Sequence, residues 1–307
     1  MARIGRTDLD VFPLCLGGNV FGWTANEDQS FAVLDAYAAA GGNFVDTADA
    51  YSAWVPGHVG GESETIIGRW MASRGARARM IVATKVGRGP KLQGLAPKTI
   101  RTGAEGSLRR LGVECIDLYF AHADDPETPL EETLGAFDAL VKEGKVRYIA
   151  ASNYTAPRLA KALEVSGREG LARYVAVQPH YNLVHRGDYE GVLADLCERE
   201  EVACVPYFGL AKGFLTGKYR KGVKVDSARA DAARAYLNDR GLRLLGILDN
   251  IAAAHRVPVA AVSLAWLLAQ KGVAAPIASA RTVEQLAELL PVANLVLSKE
   301  EVEVLRF

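Results

Sequence analysis

The chain has 307 residues, half of them apolar, and 36 Lys plus Arg against 36 Asp plus Glu, so its formal net charge is zero. That is enough apolar mass for one large core, and the balance excludes the basic excess that marks binding to nucleic acid or an anionic membrane surface. The first ten residues carry no apolar secretory stretch and no apolar run reaches the roughly 18 residues of a membrane span, so the expected compartment is the cytoplasm. Cys15, Cys115, Cys197 and Cys204 lie far apart without CxxC spacing and read as free, buried thiols.

From the N-terminus, residues 3–11 read as a small hairpin, followed by a strand at 14–16 and a helix at 28–40. Short apolar runs then alternate with stretches of helical period. Further strands are expected at 43–47, 80–86, 116–122, 146–152, 174–180, 203–208 and 275–279. Between them helices are expected at 62–73, 97–111, 130–143, 156–165 and 188–200, with one long helical block at 242–270. A last helix at 282–290 and a C-terminal turn at 299–305 complete the pattern. Runs such as Ile81-Val82-Ala83 and Ala176-Val177 are apolar on both faces, which suits a parallel sheet covered by helices. Pro97 fits a first helical turn, and Gly144 closes the helix that follows Pro129.

Eight strand-helix units without a break in composition predict an α/β fold, a (β/α)8 TIM barrel formed as one domain over 1–307. The hairpin would close its bottom. The runner-up is a doubly wound open sheet, but Leu16-Gly17-Gly18-Asn19-Val20-Phe21-Gly22 lacks the GxGxxG spacing of a dinucleotide fold. Two segments, 52–61 and 209–240, exceed simple strand-to-helix loops. In barrels such loops at the C-terminal strand ends build the active site.

Four polar residues stand at those ends. Asp46 lies near the end of the second strand and Tyr51 in the loop after it; Lys85 closes the third strand and His122 the fourth. Neighbouring strands present these side chains to one mouth. The set suits hydride reduction of a carbonyl, which leaves an alkoxide that must be protonated as it forms. Tyr51 is the expected proton donor, Lys85 the cation that lowers its phenol pKa by roughly 1–3 units, and Asp46 the carboxylate that holds Lys85 charged and aimed. His122 would orient the substrate oxygen or help relay the proton. Taken singly, each has a plainer reading as rim lysine, helix cap, core histidine or packing tyrosine. Their joint spacing is the stronger signal.

Along nearly its whole length the chain resembles the aldo-keto reductases. Phe44-Val45-Asp46-Thr47-Ala48-Asp49-Ala50-Tyr51 is similar to the family's Asp-Thr-Ala-x-x-Tyr signature, and Gly61-Glu62-Ser63-Glu64 to the Gly-x-Ser-Glu that follows it. Asp117-Leu118-Tyr119 ahead of His122 and Thr128-Pro129-Leu130-Glu131-Glu132-Thr133 resemble the family's fourth strand and next helix. The resemblance makes Asp46, Tyr51, Lys85 and His122 the catalytic tetrad and implies a nicotinamide cofactor. Ser152, Asn153 and Gln178 match the residues that hold the carboxamide, and Tyr207 the ring on which the nicotinamide stacks. Asn153 also suits a helix N-cap. The stretch from Phe208 to Lys218 resembles the pyrophosphate loop, with Phe208-Gly209 in place of Ser-Pro and with Leu210 and Lys212 inside it. Ser279 and Arg281 follow the eighth strand, where Arg281 at a helix start suits an adenosine 2′-phosphate, so NADP is favoured over NAD. Gln285 matches an adenosine-side residue, while Leu289 stands where many members have Asn.

The expected substrate wall comprises Val20, Phe21, Trp23 and Trp54, with Tyr119 and the 217–238 segment as further candidates and His58 nearby. Such a wall suits an apolar or aromatic small-molecule carbonyl, or a sugar face. The five histidines, His58, His122, His180, His185 and His255, show no metal-ligand spacing, so no metal is expected, and His180 reads as structural. Two other functions remain open. One is a Schiff-base lyase with Lys85 as nucleophile, which Asp46 opposes by keeping the amine protonated. The other is an NADPH-binding sensor or regulatory subunit on the same fold. The sequence does not decide between monomer and homo-oligomer.

Overall fold

In a computed structural model, which describes residues 1–306, the N-terminal stretch forms β1 (Ala2–Arg3) and β2 (Asp10–Val11), an antiparallel hairpin. Eight parallel strands follow: β3 (Cys15–Gly17), β4 (Phe44–Asp46), β5 (Ile81–Val86), β6 (Ile116–Ala121), β7 (Val146–Ser152), β8 (Tyr174–Gln178), β9 (Ala203–Cys204) and β10 (Ile277–Ala278). They pair in the order β10-β3-β4-β5-β6-β7-β8-β9. The free edges of β9 and β10 meet through the segment that leads into β10. Cys204 N donates to Gly272 O at 2.8 Å, Ala274 N to Cys204 O at 2.9 Å and Ile277 N to Pro206 O at 2.9 Å, which closes the sheet on itself.

The helices wrap this sheet: α1 (Glu27–Ala39), α2 (Glu62–Arg74), α3 (Pro97–Leu111), α4 (Leu130–Lys142), α5 (Ala156–Glu169), α6 (Val192–Glu200), α7 (Ala230–Arg234), α8 (Asp239–His255), α9 (Val259–Leu268), α10 (Val283–Leu289) and α11 (Lys299–Val304). The architecture is the expected (β/α)8 barrel. One apolar cluster fills the barrel interior, with Phe44 from β4, Leu118 and Phe120 from β6, Ala150 from β7 and Val205 just after β9. A second lies between strands and helices. The hairpin stoppers the end opposite the mouth, burying Ile4, Leu9 and Val11 against the interior cluster. Gly5 makes that fit possible: its φ is +50°, and a Cβ there would stand 2.6 Å from Val175 O.

Three of the differences between the structure and the predicted elements have a local cause. The block at 242–270 is two helices, α8 and α9, bent by 95°. Arg256 adopts a left-handed φ of 56°, and Pro258, which has no N–H to continue α8, caps α9 instead. The strand expected at 203–208 is regular only through Cys204. Pro206 interrupts its ladder and Phe208 turns out of it at φ 53°, although Val205 N and Tyr207 N still donate to Val177 O and Pro179 O. The helix expected from 188 begins at Val192, after Gly191 at φ 82°. Among the described residues no single helix is long and apolar enough to cross a membrane.

Candidate active site

The C-terminal strand ends open into a cleft of 950 Å³. At its base, Lys85 is wholly buried and its three ammonium protons have three acceptors: Asp46 Oδ2 at 2.7 Å, Thr47 O at 2.8 Å and Tyr51 Oη at 2.9 Å. Tyr51 donates its phenol proton to Asp46 Oδ2 at 3.1 Å, and Gln178 Nε2 donates to Asp46 Oδ1 at 2.9 Å. This closed triangle makes a buried charge pair tolerable, because both ions keep hydrogen-bond partners that replace water. It leaves the Lys85 nitrogen no free lone pair, which opposes the Schiff-base alternative.

One sequence expectation is corrected here. Tyr51 is held well above the ordinary phenol range, not below it, by burial and then by the adjacent Asp46 carboxylate. The phenol therefore keeps its proton at neutral pH. His122 is pushed well below the usual imidazole range by burial and then by the Lys85 charge, so it stands neutral. It lines the cleft beside Tyr51, ring centroids 6.2 Å apart, with Nδ1 buried and unpartnered among the described residues.

Ser152, Asn153, Gln178 and Tyr207 come together on the next wall, but as a lattice of mutual bonds. Ser152 Oγ donates to Gln178 O at 2.9 Å. Asn153 Nδ2 donates to His122 O at 2.9 Å and to Ser152 Oγ at 3.0 Å, while its Oδ1 accepts from Tyr207 Oη at 2.8 Å. Gln178 gives its amide to Asp46, so its carbonyl oxygen is the freer group. Asn153, at φ 58°, is not the cap of α5; Thr155 is, accepting from Arg158 N. The Tyr207 ring is backed by His180 at 5.3 Å and 19°, which fixes its plane. His180 is stacked in turn on His185 at 3.7 Å, and His185 pairs with Asp188 at 2.8 Å. Ligand atoms of His180, His185 and Asp188 all lie within 4.8 Å of one another, yet parallel rings aim their nitrogen lone pairs along separate planes.

Leu210 and Lys212 line the cleft in a loop whose backbone is unusual. Phe208, Ala211, Lys212 and Gly213 all have positive φ, a concentration of strain typical of ligand-binding turns. Gly209 is closely packed, since a Cβ there would stand 3.1–3.3 Å from Leu264, Leu267 and Ile277 O. Opposite, Ser279 Oγ donates to Asn19 Oδ1 at 2.7 Å, and Gln285 Oε1 accepts from Arg281 N at 3.0 Å, holding the Arg281 backbone at the rim.

Val20, Trp23 and Trp54 line the mouth, the two indoles meeting edge to face at 5.5 Å and 87°. Phe21 and Tyr119 do not. Both are fully buried in the layer between strands and helices, Phe21 behind the loop after β3 and Tyr119 against Phe137. His58 lies outside the cleft.

The cleft also holds Arg88 and Glu288, which the sequence reading missed, and Lys218 and Arg229, which it placed only within the 208–218 and 217–238 stretches without a role of their own. Arg229 sits over the Trp23 ring at 5.4 Å and the Phe208 ring at 6.0 Å. With Lys212 and Arg281, the cations Arg88, Lys218 and Arg229 have no carboxylate within 4.0 Å among the described residues. The signal of Arg88 and Arg229 in the sequence was faint: basic residues in loops, of a kind that usually faces solvent.

Comparison with known proteins agrees with this geometry. The family model described as the Aldo/keto reductase family matches residues 13–306. The chain is similar to the "Uncharacterized oxidoreductase YrpG" of Bacillus subtilis, 35% identical over 98% of this chain and 93% of that protein. It is similar to the "Aldo-keto reductase str7" of Strobilurus tenacellus, 33% identical over 93% of this chain and 82% of that one. It also resembles the "Probable voltage-gated potassium channel subunit beta" of Oryza sativa, 33% identical over 93% and 88% of the two chains. A closed barrel with its polar cluster at the C-terminal mouth, matched over nearly its whole length, places this chain in the aldo/keto reductase family, whose members are oxidoreductases that generally use nicotinamide cofactors.

Proposed function

We propose that the protein is an NADP-dependent reductase that passes a hydride between NADPH and an aldehyde or ketone, with Tyr51 as the general acid. The observation that carries this reading is the Asp46–Lys85–Tyr51 triangle, buried at the base of a cleft rich in unpaired cations. Lys212, Lys218, Arg229 and Arg281 come from the loops after β9 and β10. Four cations without carboxylate partners fit a diphosphate with a further 2′-phosphate, the last assigned to Arg281. Tyr207, Asn153, Ser152 and Gln178 would bound the nicotinamide, and Leu210, Ser279 and Gln285 the remainder of the cofactor.

NADPH supplies the hydride when bound. The chain's own residues do the rest. Tyr51 and neutral His122 converge on the substrate oxygen as hydrogen-bond donors and fix the carbonyl for attack. Tyr51 then gives up its proton: an alkoxide is a far stronger base than a phenolate, so a raised phenol pKa does not prevent transfer. Lys85, already bonded to Tyr51 Oη, stabilises the phenolate left behind, and Asp46 keeps Lys85 charged. A positioned acid of this kind is worth roughly 10²–10⁴-fold in rate.

A second reading, a cofactor-sensing subunit, draws on the similarity to the rice channel-subunit protein. Titrating the protein with NADPH and NADH, then assaying nitrobenzaldehyde reduction, separates the two. The reductase reading expects NADPH to bind more tightly than NADH and the aldehyde to be turned over. It also expects Tyr51→Phe to lose roughly 10²–10⁴-fold of activity while binding NADPH within a few-fold of wild type. Arg281→Ala is expected to weaken NADPH roughly ten- to hundred-fold and NADH little. Binding without turnover of any carbonyl favours the sensor, and full activity in Tyr51→Phe removes the proposed acid.

A further inference from the structure

Of the five cations in the cleft without a carboxylate partner, four belong to the loops after β9 and β10. Arg88 alone comes from elsewhere, two residues past the end of β5, on the strand that carries Lys85. Its backbone is pinned. Gly87 turns at φ +107°, Gly94 N donates to Gly87 O at 3.1 Å, and Arg88 bridges to Gln93. The loop is therefore a small closed hairpin that fixes the root of Arg88 at the rim, and the guanidinium lines the cleft with His122 and Tyr207. Its charge bears on both, opposing protonation of His122 and favouring ionisation of Tyr207. The nearest acidic residues of the neighbouring β6–α4 loop are occupied elsewhere. Asp124 pairs with Arg158 at 2.7 Å, and Asp125 accepts from Leu95 N and Thr128 Oγ1, both at 2.7 Å.

The wall contributed by the loops after β3 and β4 is aromatic: Trp23, Tyr51 and Trp54. The substrate half of the cleft thus offers a flat apolar face, a proton donor with a neutral imidazole between, and a forked cation, Arg88, left for an anion once Arg229, which sits over Trp23, is assigned to the cofactor phosphates. Resting on the reductase reading, we propose that Arg88 selects carbonyl compounds that carry a carboxylate, held by the guanidinium while their apolar body lies against Trp23 and Trp54. A planar guanidinium matches a carboxylate through two parallel hydrogen bonds, and because Arg88 is exposed the pair is open to screening by salt.

The experiment compares kcat/KM with NADPH for benzaldehyde, the 2-, 3- and 4-carboxybenzaldehydes and 4-(trimethylammonio)benzaldehyde. The carboxylate is electronically close to hydrogen on the ring, so its effect on kcat/KM reports binding. The expected result is a preference of roughly ten- to hundred-fold for the best carboxylate isomer over benzaldehyde, shrinking as salt is added. In Arg88→Gln that ratio is expected to collapse toward one. In Arg88→Glu it is expected to invert in favour of the trimethylammonium compound. Because each is a ratio within one variant, a general loss of activity does not mimic them. Turnover of benzaldehyde without a carboxylate preference in the wild type, or an undiminished preference in Arg88→Gln, overturns the role of Arg88 and leaves the reductase reading standing. Failure of every aldehyde to oxidise NADPH overturns both.

Discussion

Buried carboxylates lie on both sides of β4 and β5: Asp46 inside the barrel mouth, and Asp49 with Glu64 in the layer beneath the helices. Strand alternation separates them, since Lys85 points inward to Asp46 while its neighbour Thr84 points outward to Glu64. Inside, Asp46 receives Lys85, Tyr51 and Gln178 and is fully partnered. Outside, Glu64 receives Thr84 Oγ1 at 2.5 Å and Arg110 Nε at 2.7 Å, but Asp49 is buried with both oxygens unpartnered among the described residues. Burial first, and then the Glu64 charge, lift Asp49 to about 7. The difference teaches that burial does not by itself decide ionisation. Where the fold supplies a cation and donors at hydrogen-bond distance, the charges persist and can be used. Where it supplies one cation for two acids, the unpartnered acid takes up a proton.

Removing Lys85 should have the largest effect. Lys85→Met strands Asp46 in the barrel and is expected to destabilise the fold by ~3–5 kcal/mol, as well as abolish turnover; denaturant unfolding at pH 7 checks the first. A loss under ~1 kcal/mol would mean that water or a rearranged donor reaches Asp46.

Next comes Asp49→Asn, read as a dependence on pH. The folded chain holds the Asp49 proton up to about pH 7, whereas the unfolded chain releases it near 3.8. The stability this group contributes is therefore fully present below pH 3.8 and is lost as pH rises through 7. The variant should match the wild type at pH 4 and exceed it at pH 8 by up to ~4 kcal/mol. Parallel unfolding curves for the two proteins across that range would show that Asp49 is already solvated or paired in solution. The smallest effect is expected from Thr84→Val, which deprives Glu64 of one donor while Arg110 remains: about 1.5–3 kcal/mol, measured as a shift in unfolding midpoint.

The Gly61-Glu62-Ser63-Glu64 string, legible as a family resemblance, acquires its physical reason on this outer side. Gly61, at φ +86°, leaves room for the Arg110 side chain that packs against it. Ser63 Oγ donates to Gly18 O and accepts from Thr47 Oγ1, and Glu64 ties α2 to β5. The signature thus anchors the loop that bears Tyr51. The residues least legible in the sequence were Arg88 and Arg229, because a basic residue in a loop gives no sign of which way the loop folds. Asn153 and Gln178 were visible, but their partners were not: Asn153 is bound to His122 O and Tyr207 Oη, and Gln178 to Asp46 across the barrel.

The order of strands and helices, the barrel they form and the positions of Asp46, Tyr51, Lys85 and His122 at adjoining strand ends were determined by the sequence itself. They follow from periodicity and spacing, which act over a few residues and are written locally. Only the tertiary structure decided the bend between α8 and α9, the high pKa of Tyr51, the isolation of Asp49 and the gathering of unpaired cations around one cleft. Each depends on which distant groups come within a few ångström when the sheet closes, and on how much water that closure removes.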